Sequence, residues 1–139
     1  MFNVRYLQEA DSDFWYTIDS HTGLNENEFD LKVRDKRGYI ICYNDKPIGV
    51  MRYNLLFDIV PFLTFIELEE SYRGKGIGSQ AMRHWENEMY NLGHKLVMTS
   101  TQPHEQAQFF YRKIGYKDSG YLLLTDEPLE IFFMKRFNG

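Results

Sequence analysis

Tyr72-Arg73-Gly74-Lys75-Gly76-Ile77-Gly78-Ser79 places three glycines at alternate positions directly ahead of a helical apolar pattern. Glycine lets the backbone curl tightly and approach a ligand without a Cβ in the way. The amides then point into one concavity, and the following helix adds its positive dipole end and unpaired first-turn N–H groups. Arg73 and Lys75 add two cations, and Ser79 can add a hydroxyl. Such a segment reads as a pyrophosphate seat. Three patterns compete for it. A Walker A loop needs Gly-Lys-Ser or Gly-Lys-Thr, which the sequence lacks. A dinucleotide fingerprint fits Gly74 and Gly76 but meets Ser79 at its third glycine, and His94 and Lys95 stand where a ribose-binding carboxylate is needed. The pattern [RQ]-x-x-G-x-[GA] is matched in full by Arg73, Gly76 and Gly78. The competing reading is a plain glycine turn.

Outward from the loop, Ile77, Ala81, Trp85, Glu88/Met89 and Leu92 lie on one face of a long helix. Gly93 stands where a left-handed cap would end it. Leu96–Ser100 reads as a strand. Pro103 opens a helix with Ala107, Phe110, Tyr111 and Ile114, closed by Gly115. Tyr116–Leu124 and Leu129–Phe137 read as a strand pair around Asp126-Glu127-Pro128. Upstream, Phe2–Leu7 reads as a strand and Asp11-Ser12-Asp13 caps a short helix with Phe14, Trp15 and Ile18. Gly23 breaks that helix. Asn25 or Asn27 caps a second with Phe29, Leu31 and Val33, and Gly38 ends it. Tyr39–Tyr43, a turn at Asn44–Pro47 and Ile48–Leu56 read as a hairpin, and Phe62–Leu68 after Pro61 as a further strand. The order β-α-α-β-β-β-α-β-α-β-β predicts an α/β (α+β) fold: a mixed sheet with helices on its faces.

The 139 residues suit one domain, 1–139, with no repeat or linker-like stretch. The 23 aromatic residues are ample for a core, and no apolar run approaches the ~18 residues of a membrane span. Met1–Arg5 lacks the basic and apolar regions of a secretion signal. The single Cys42 excludes an internal disulfide and a Cys-based zinc site. These features make the cytoplasm the expected location. A net charge of −4 argues against non-specific nucleic-acid binding. The charge is uneven, −6 over residues 1–70 and +2 over 71–139, which is either chance or a sign of ligands of opposite charge. His21, His84 and His94 have no metal or triad spacing, so no metal is expected.

The loop, the helix and strand after it, and Ala107-Gln108-Phe109-Phe110-Tyr111-Arg112-Lys113-Ile114-Gly115-Tyr116 together resemble the GNAT superfamily of acyl-CoA-dependent N-acetyltransferases. The last stretch is similar to that family's A-x-x-[LF]-Y-x-K-x-G-[FY] pattern. The resemblance covers most of the chain and is strongest from Pro61 to Tyr116. It implies a mostly antiparallel sheet of six to seven strands, splayed between strands 4 and 5, with about four helices. The implied cofactor is acetyl-CoA (coenzyme A). Its pyrophosphate would lie on the amides of Arg73, Gly74, Lys75, Gly76, Ile77, Gly78 and Ser79. A bulge in the fourth strand would free backbone groups at Ile66, Glu67 and Leu68 to pair with the pantetheine arm. An N–H at Ile66 or Leu68 would polarise the thioester carbonyl. Tyr111 is the implied general acid, since a phenol of pKa near 10 stays protonated and can donate to the departing thiolate. From the residues alone, a core tyrosine on an amphipathic helix competes with that role.

Two departures from the family pattern stand out. His104 replaces an asparagine found in many members; it can hydrogen-bond the cofactor or be a solvated first-turn residue. Positions near Phe62 and Thr64, where some members carry a base, hold none here. Glu67 and Glu69 alternate to the other side of a regular strand, so Glu67 serves as base only if the bulge changes the parity. Deprotonation through ordered water, or binding of the neutral amine, is the preferred reading. The expected acceptor is a small-molecule or peptide amine. The acidic segment Asp11–Asp30 suits a cation and the aromatic residues permit an aromatic amine, while peptide N-termini, polyamines and aminoglycoside-like amines all stay open. A homodimer also stays open, and neither nucleic acid nor membrane is expected as a partner. The rival of a different class is a non-catalytic acyl-CoA-binding sensor or scaffold. A nucleotide-phosphate enzyme lacks its lysine–serine pair and its ribose carboxylate.

Overall fold

In the computed structural model, residues 1–20 and 23–138 are described; His21 lies outside them. The strands are β1 (Phe2–Tyr6), β2 (Gly38–Tyr43), β3 (Lys46–Leu56), β4 (Val60–Leu68), β5 (Leu96–Thr101), β6 (Lys117–Leu122) and β7 (Glu130–Arg136). The helices are α1 (Ser12–Ile18), α2 (Glu26–Asp35), α3 (Ile77–Asn91) and α4 (Ala107–Lys113), with single 3₁₀ turns at Glu9–Asp11 and Glu70–Tyr72. The strands form one mixed sheet in the order β1-β2-β3-β4-β5-β7-β6. The contacts divide into two compact units, Met1–Asn54 with Phe65–Trp85 and Leu55–Thr64 with Glu86–Gly139.

The first unit is built on the β1-β2-β3 meander. Asn44 and Asp45 both have positive φ (50° and 65°), the type I′ geometry whose twist suits a two-residue hairpin. The turn is therefore two residues long, and β3 begins at Lys46, earlier than the expected Ile48. Pro47 is tolerated because it lies beside the register shift at Ile41/Cys42, where a ladder N–H is not required. Strand alternation sends Ile40, Cys42 and Val50 to one face, where they join Leu7, Trp15 and Phe29 in a buried cluster. Tyr39 and Tyr53 face the other way: their rings stack 6.2 Å apart, and Tyr53 meets Trp85 of α3 at 5.8 Å. Asn25 caps α2 by accepting the Glu28 N–H at 2.8 Å. Gly38 does not end that helix. Lys36 takes the left-handed position (φ 57°), and the Arg37 N–H closes on Lys32 O at 3.0 Å. Gly38 instead opens β2, where a Cβ would lie 2.8 Å from Leu7 Cδ2. Asp11 precedes α1 without capping it by side chain; its carboxylate is held by Arg5 at 2.8 Å through both oxygens.

The second unit centres on β5 and β7, antiparallel from Leu96↔Arg136 to Thr101↔Ile131. The parallel ladder of β4 with β5 is two residues long, Phe62↔Met98 and Leu63↔Thr99, and the Thr99 hydroxyl donates to Leu63 O at 3.0 Å. β4 begins at Val60, ahead of Pro61, which occupies the second strand position, where the missing N–H costs least. β6 and β7 are shorter than expected. The Tyr116 N–H is used by Tyr111 O, and a turn with Asp126 at φ 67° leaves Leu123 and Leu124 exposed. On α3 the buried stripe is Ile77, Ala81, Met82, Trp85, Glu86 and Met89. Leu92 falls off it: Gly93, at φ +96°, turns the chain and the His94 N–H closes on Met89 O at 3.1 Å.

Candidate active site

The glycine loop belongs to the first unit. Gly74 and Gly76 take φ of +74° and +81°, a region that costs L-residues energy. Nothing lies within 4 Å of a Cβ built at either one. Backbone conformation, not crowding within the protein, therefore demands glycine there. Gly78 lies inside α3. The first helical bond runs from Gln80 N–H to Gly76 O at 3.2 Å, so the amides of Ile77, Gly78 and Ser79 precede the ladder. Arg73, Gly74, Lys75 and Gly76 are exposed, Gly78 and Ser79 are half-buried, and the Ile77 side chain is anchored in the core. Lys75 Nζ lies 5.9 Å from the Tyr72 ring centre, and Lys46 Nζ lies 6.0 Å from the same ring. Lys46 is a third cation beside the loop, brought there by the β2–β3 hairpin; its neighbours in sequence carry no sign of it.

β4 leads into this loop. The Glu69 N–H donates to Ile48 O of β3 at 2.8 Å. A Cβ at Gly49 of β3 would lie 2.7 Å from Glu67 O, so that carbonyl also faces β3. Between them, Leu68 turns its carbonyl to the opposite edge, where Arg73 Nε donates to it at 3.0 Å. Strand alternation puts the Ile66 backbone groups on that same edge. The Glu67 carboxylate is paired with Arg73 Nη2 at 2.5 Å. Behind β4, Asp19 and Arg52 form a buried ion pair at 2.5 Å. Trp15 Nε1 donates to the same carboxylate at 3.0 Å, and the guanidinium lies 4.6 Å from the Phe65 ring centre. Burial holds the Arg52 pKa below its ordinary value against the pull of Asp19.

Tyr111 belongs to the second unit, on α4, and is 5% exposed. Its ring is packed by Phe110, Tyr116 and Phe133, with centres 5.4, 5.8 and 5.9 Å away. Gly115, at φ +105°, closes the helix and lets the Tyr116 N–H reach Tyr111 O at 3.0 Å. The Tyr116 hydroxyl donates to Glu86 Oε2 at 2.8 Å, and Lys135 Nζ donates to Glu86 Oε1 and to Ile114 O, each at 2.9 Å. Burial first, and then the Glu86 charge, raise the Tyr116 pKa well above the ordinary phenol value. This triad had no signal in the sequence, because its members are 19 to 49 residues apart. Phe62 packs edge-on against Phe132 at 5.5 Å, and Thr64 is exposed. His104 is also exposed, in a turn that precedes α4 rather than in its first turn. The Glu105 carboxylate accepts the Gln102 N–H at 3.1 Å, and Gln108 Nε2 donates to Glu105 O at 3.1 Å, so residues 102–106 stay outside the helix.

The acetyltransferase (GNAT) family model matches residues 4–116. The chain belongs to that family. The GNAT fold is also found in solved structures of low identity. A GNAT acetyltransferase from Bacillus cereus is 23% identical, with 98% of this chain and 97% of that one covered at a TM-score of 0.76. The Escherichia coli ribosomal-protein-S18-alanine N-acetyltransferase is 17% identical, with 100% and 97% covered at 0.79. A GNAT acetyltransferase from Elizabethkingia anophelis, solved with acetyl-CoA bound, is 14% identical, with 98% of each chain covered at 0.74. No curated protein matches by sequence. Acetyl transfer from acetyl-CoA is therefore the activity class of this GNAT chain. Among the described residues, no group of three or more His, Cys, Asp or Glu could hold a metal ion, and no helix is long and apolar enough to cross a membrane.

Proposed function

We propose that this GNAT protein is an N-acetyltransferase that moves the acetyl group of acetyl-CoA to a primary amine by direct attack in a ternary complex. The observation that carries the reading is the pair of left-handed glycines, Gly74 and Gly76, opening the first turn of α3. The pyrophosphate lies on the amides of Arg73–Ser79 with Arg73 and Lys75 as cations. The pantetheine arm pairs with the β4 edge that faces away from β3, at Ile66 and Leu68. The amine lone pair attacks the thioester carbon, and an N–H of that edge stabilises the oxyanion. The oxyanion re-forms the C=O as the C–S bond breaks, and Tyr111 gives its proton to the leaving thiolate. The nitrogen then releases its surplus proton to water, so that the phenol is restored by a proton from solvent. His104, exposed ahead of α4, is a further candidate contact of the cofactor.

The amine must shed a proton before it attacks. Phe62 is held by Phe132, and the Glu67 carboxylate is engaged by Arg73. Proton loss through ordered water, or capture of the neutral amine, matches these facts. Such chemistry favours amines of modest pKa, such as peptide N-termini at about 7.7–8.0. The S18-alanine relative supports a peptide α-amine in the same way. The test is an acetyl-CoA-dependent thiol-release screen across peptides, polyamines, aminoglycoside-like amines and aromatic amines. Turnover on one class, with a rate rising toward that amine's pKa, is the expected result. Stoichiometric cofactor binding with no turnover on any class would leave an acyl-CoA sensor instead.

A further inference from the structure

Arg73 stands at a point of conflict. Its Nε donates to Leu68 O at 3.0 Å and its Nη2 pairs with Glu67 Oε1 at 2.5 Å. The first contact occupies a carbonyl on the β4 edge that lacks a β3 partner. Under the reading above, that is the carbonyl available to an amide N–H of the pantetheine arm. The second contact gives the guanidinium a carboxylate in place of a phosphate. Cofactor binding therefore exchanges both partners of one side chain.

From this geometry we infer that Glu67 sets the affinity for the cofactor by holding Arg73 folded back on β4, so that the pyrophosphate must displace a carboxylate to gain the guanidinium. Glu67 is thus a positioning residue that acts through Arg73, and the inference rests on the acetyl-CoA reading. The physical basis is exchange. A phosphate meeting an unpaired guanidinium gains a whole charge-assisted contact, whereas one meeting Arg73 gains only its advantage over Glu67. The side chains are 55% and 38% exposed, so solvent screens the pair. Arg73 also lies at the mouth of the loop, where no other acidic side chain is paired with it among the described contacts.

The test is calorimetry of CoA binding to the parent, Glu67→Gln, Arg73→Gln and the double variant. Glutamine keeps the shape of Glu67 and removes its charge. The expected result is a CoA Kd about twofold to fivefold tighter in Glu67→Gln, the span of an exposed ion pair. The gain should disappear in the Arg73→Gln background. Equal or weaker binding by Glu67→Gln overturns the inference, because Glu67 would then be neutral or would orient Arg73 for the phosphate. An equal gain in both backgrounds also overturns it, since Glu67 would then act by repelling the phosphates directly. A parent protein that fails to bind CoA would overturn the cofactor reading itself.

Discussion

The glycine loop and the packed surroundings of Tyr111 solve opposite problems. The loop at Arg73–Ser79 offers backbone N–H groups, is open to solvent, and owes its shape to two φ angles. Tyr111 offers one hydroxyl, is nearly buried, and owes its place to rings contributed by α4, Tyr116 and β7. The first depends on a few consecutive residues. The second depends on distant ones, and on the Glu86–Tyr116–Lys135 network behind it. A site of backbone donors survives most side-chain changes but not the loss of its conformation. A site of one side-chain hydroxyl fails when that oxygen is removed.

The largest expected effect is at Tyr111. Tyr111→Phe keeps the packing and removes the proton donor, so single-turnover acetyl transfer should fall about 10²–10⁴-fold, with CoA affinity nearly unchanged. A rate within twofold of the parent would make Tyr111 a packing residue. Gly76→Val comes next. Nothing in the protein blocks its Cβ, so the fold should hold, but φ of +81° costs a residue with a side chain on the order of 1–2 kcal/mol. CoA binding should weaken by roughly 5–30-fold if that strain drives the loop out of its seat-forming shape. An unchanged Kd with unchanged thermal stability would break the contrast between the two regions.

The network behind Tyr111 sharpens the contrast through stability. Tyr116→Phe strips one donor from a Glu86 carboxylate that is 6% exposed, and should cost about 1–3 kcal/mol in denaturant unfolding. The pH dependence has a definite sign. The folded-state pKa of Tyr116 is raised above the ordinary 10.0, so its contribution is fully present below pH 10. Above that, the unfolded chain gives up its proton first, and stability falls as pH rises. That part of the alkaline slope should be missing in Tyr116→Phe. The smallest effect is expected at Arg112–Asp118, a fork-like pair on the surface with both partners in solvent. Arg112→Gln should leave the Tm unchanged within error, and a clear drop would show that Arg112, whose guanidinium lies 5.3 Å from the Phe133 ring centre, supports the packing around Tyr111.

Neighbouring residues fix the order of the elements, the Gly93 helix end and the loop that opens α3, and they narrow the start of α2 to Asn25 or Asn27, of which the structure uses Asn25. Periodicity on α3 found Ile77, Ala81, Trp85 and Met89, and missed Glu86, because a buried carboxylate is stable only with partners that spacing cannot supply. Gly38 was legible as a special position but not for its reason: the Leu7 side chain facing it comes from the residue that follows β1. Contacts made only in the folded chain put Lys46 with Lys75 over Tyr72, bury Arg52 against Asp19 and Phe65, and engage Glu67 with Arg73. The physical reason is the range of the interactions. Backbone dihedrals and helical spacing are local, whereas a buried charge or a packed ring takes its energy from groups brought close only when the strands pair.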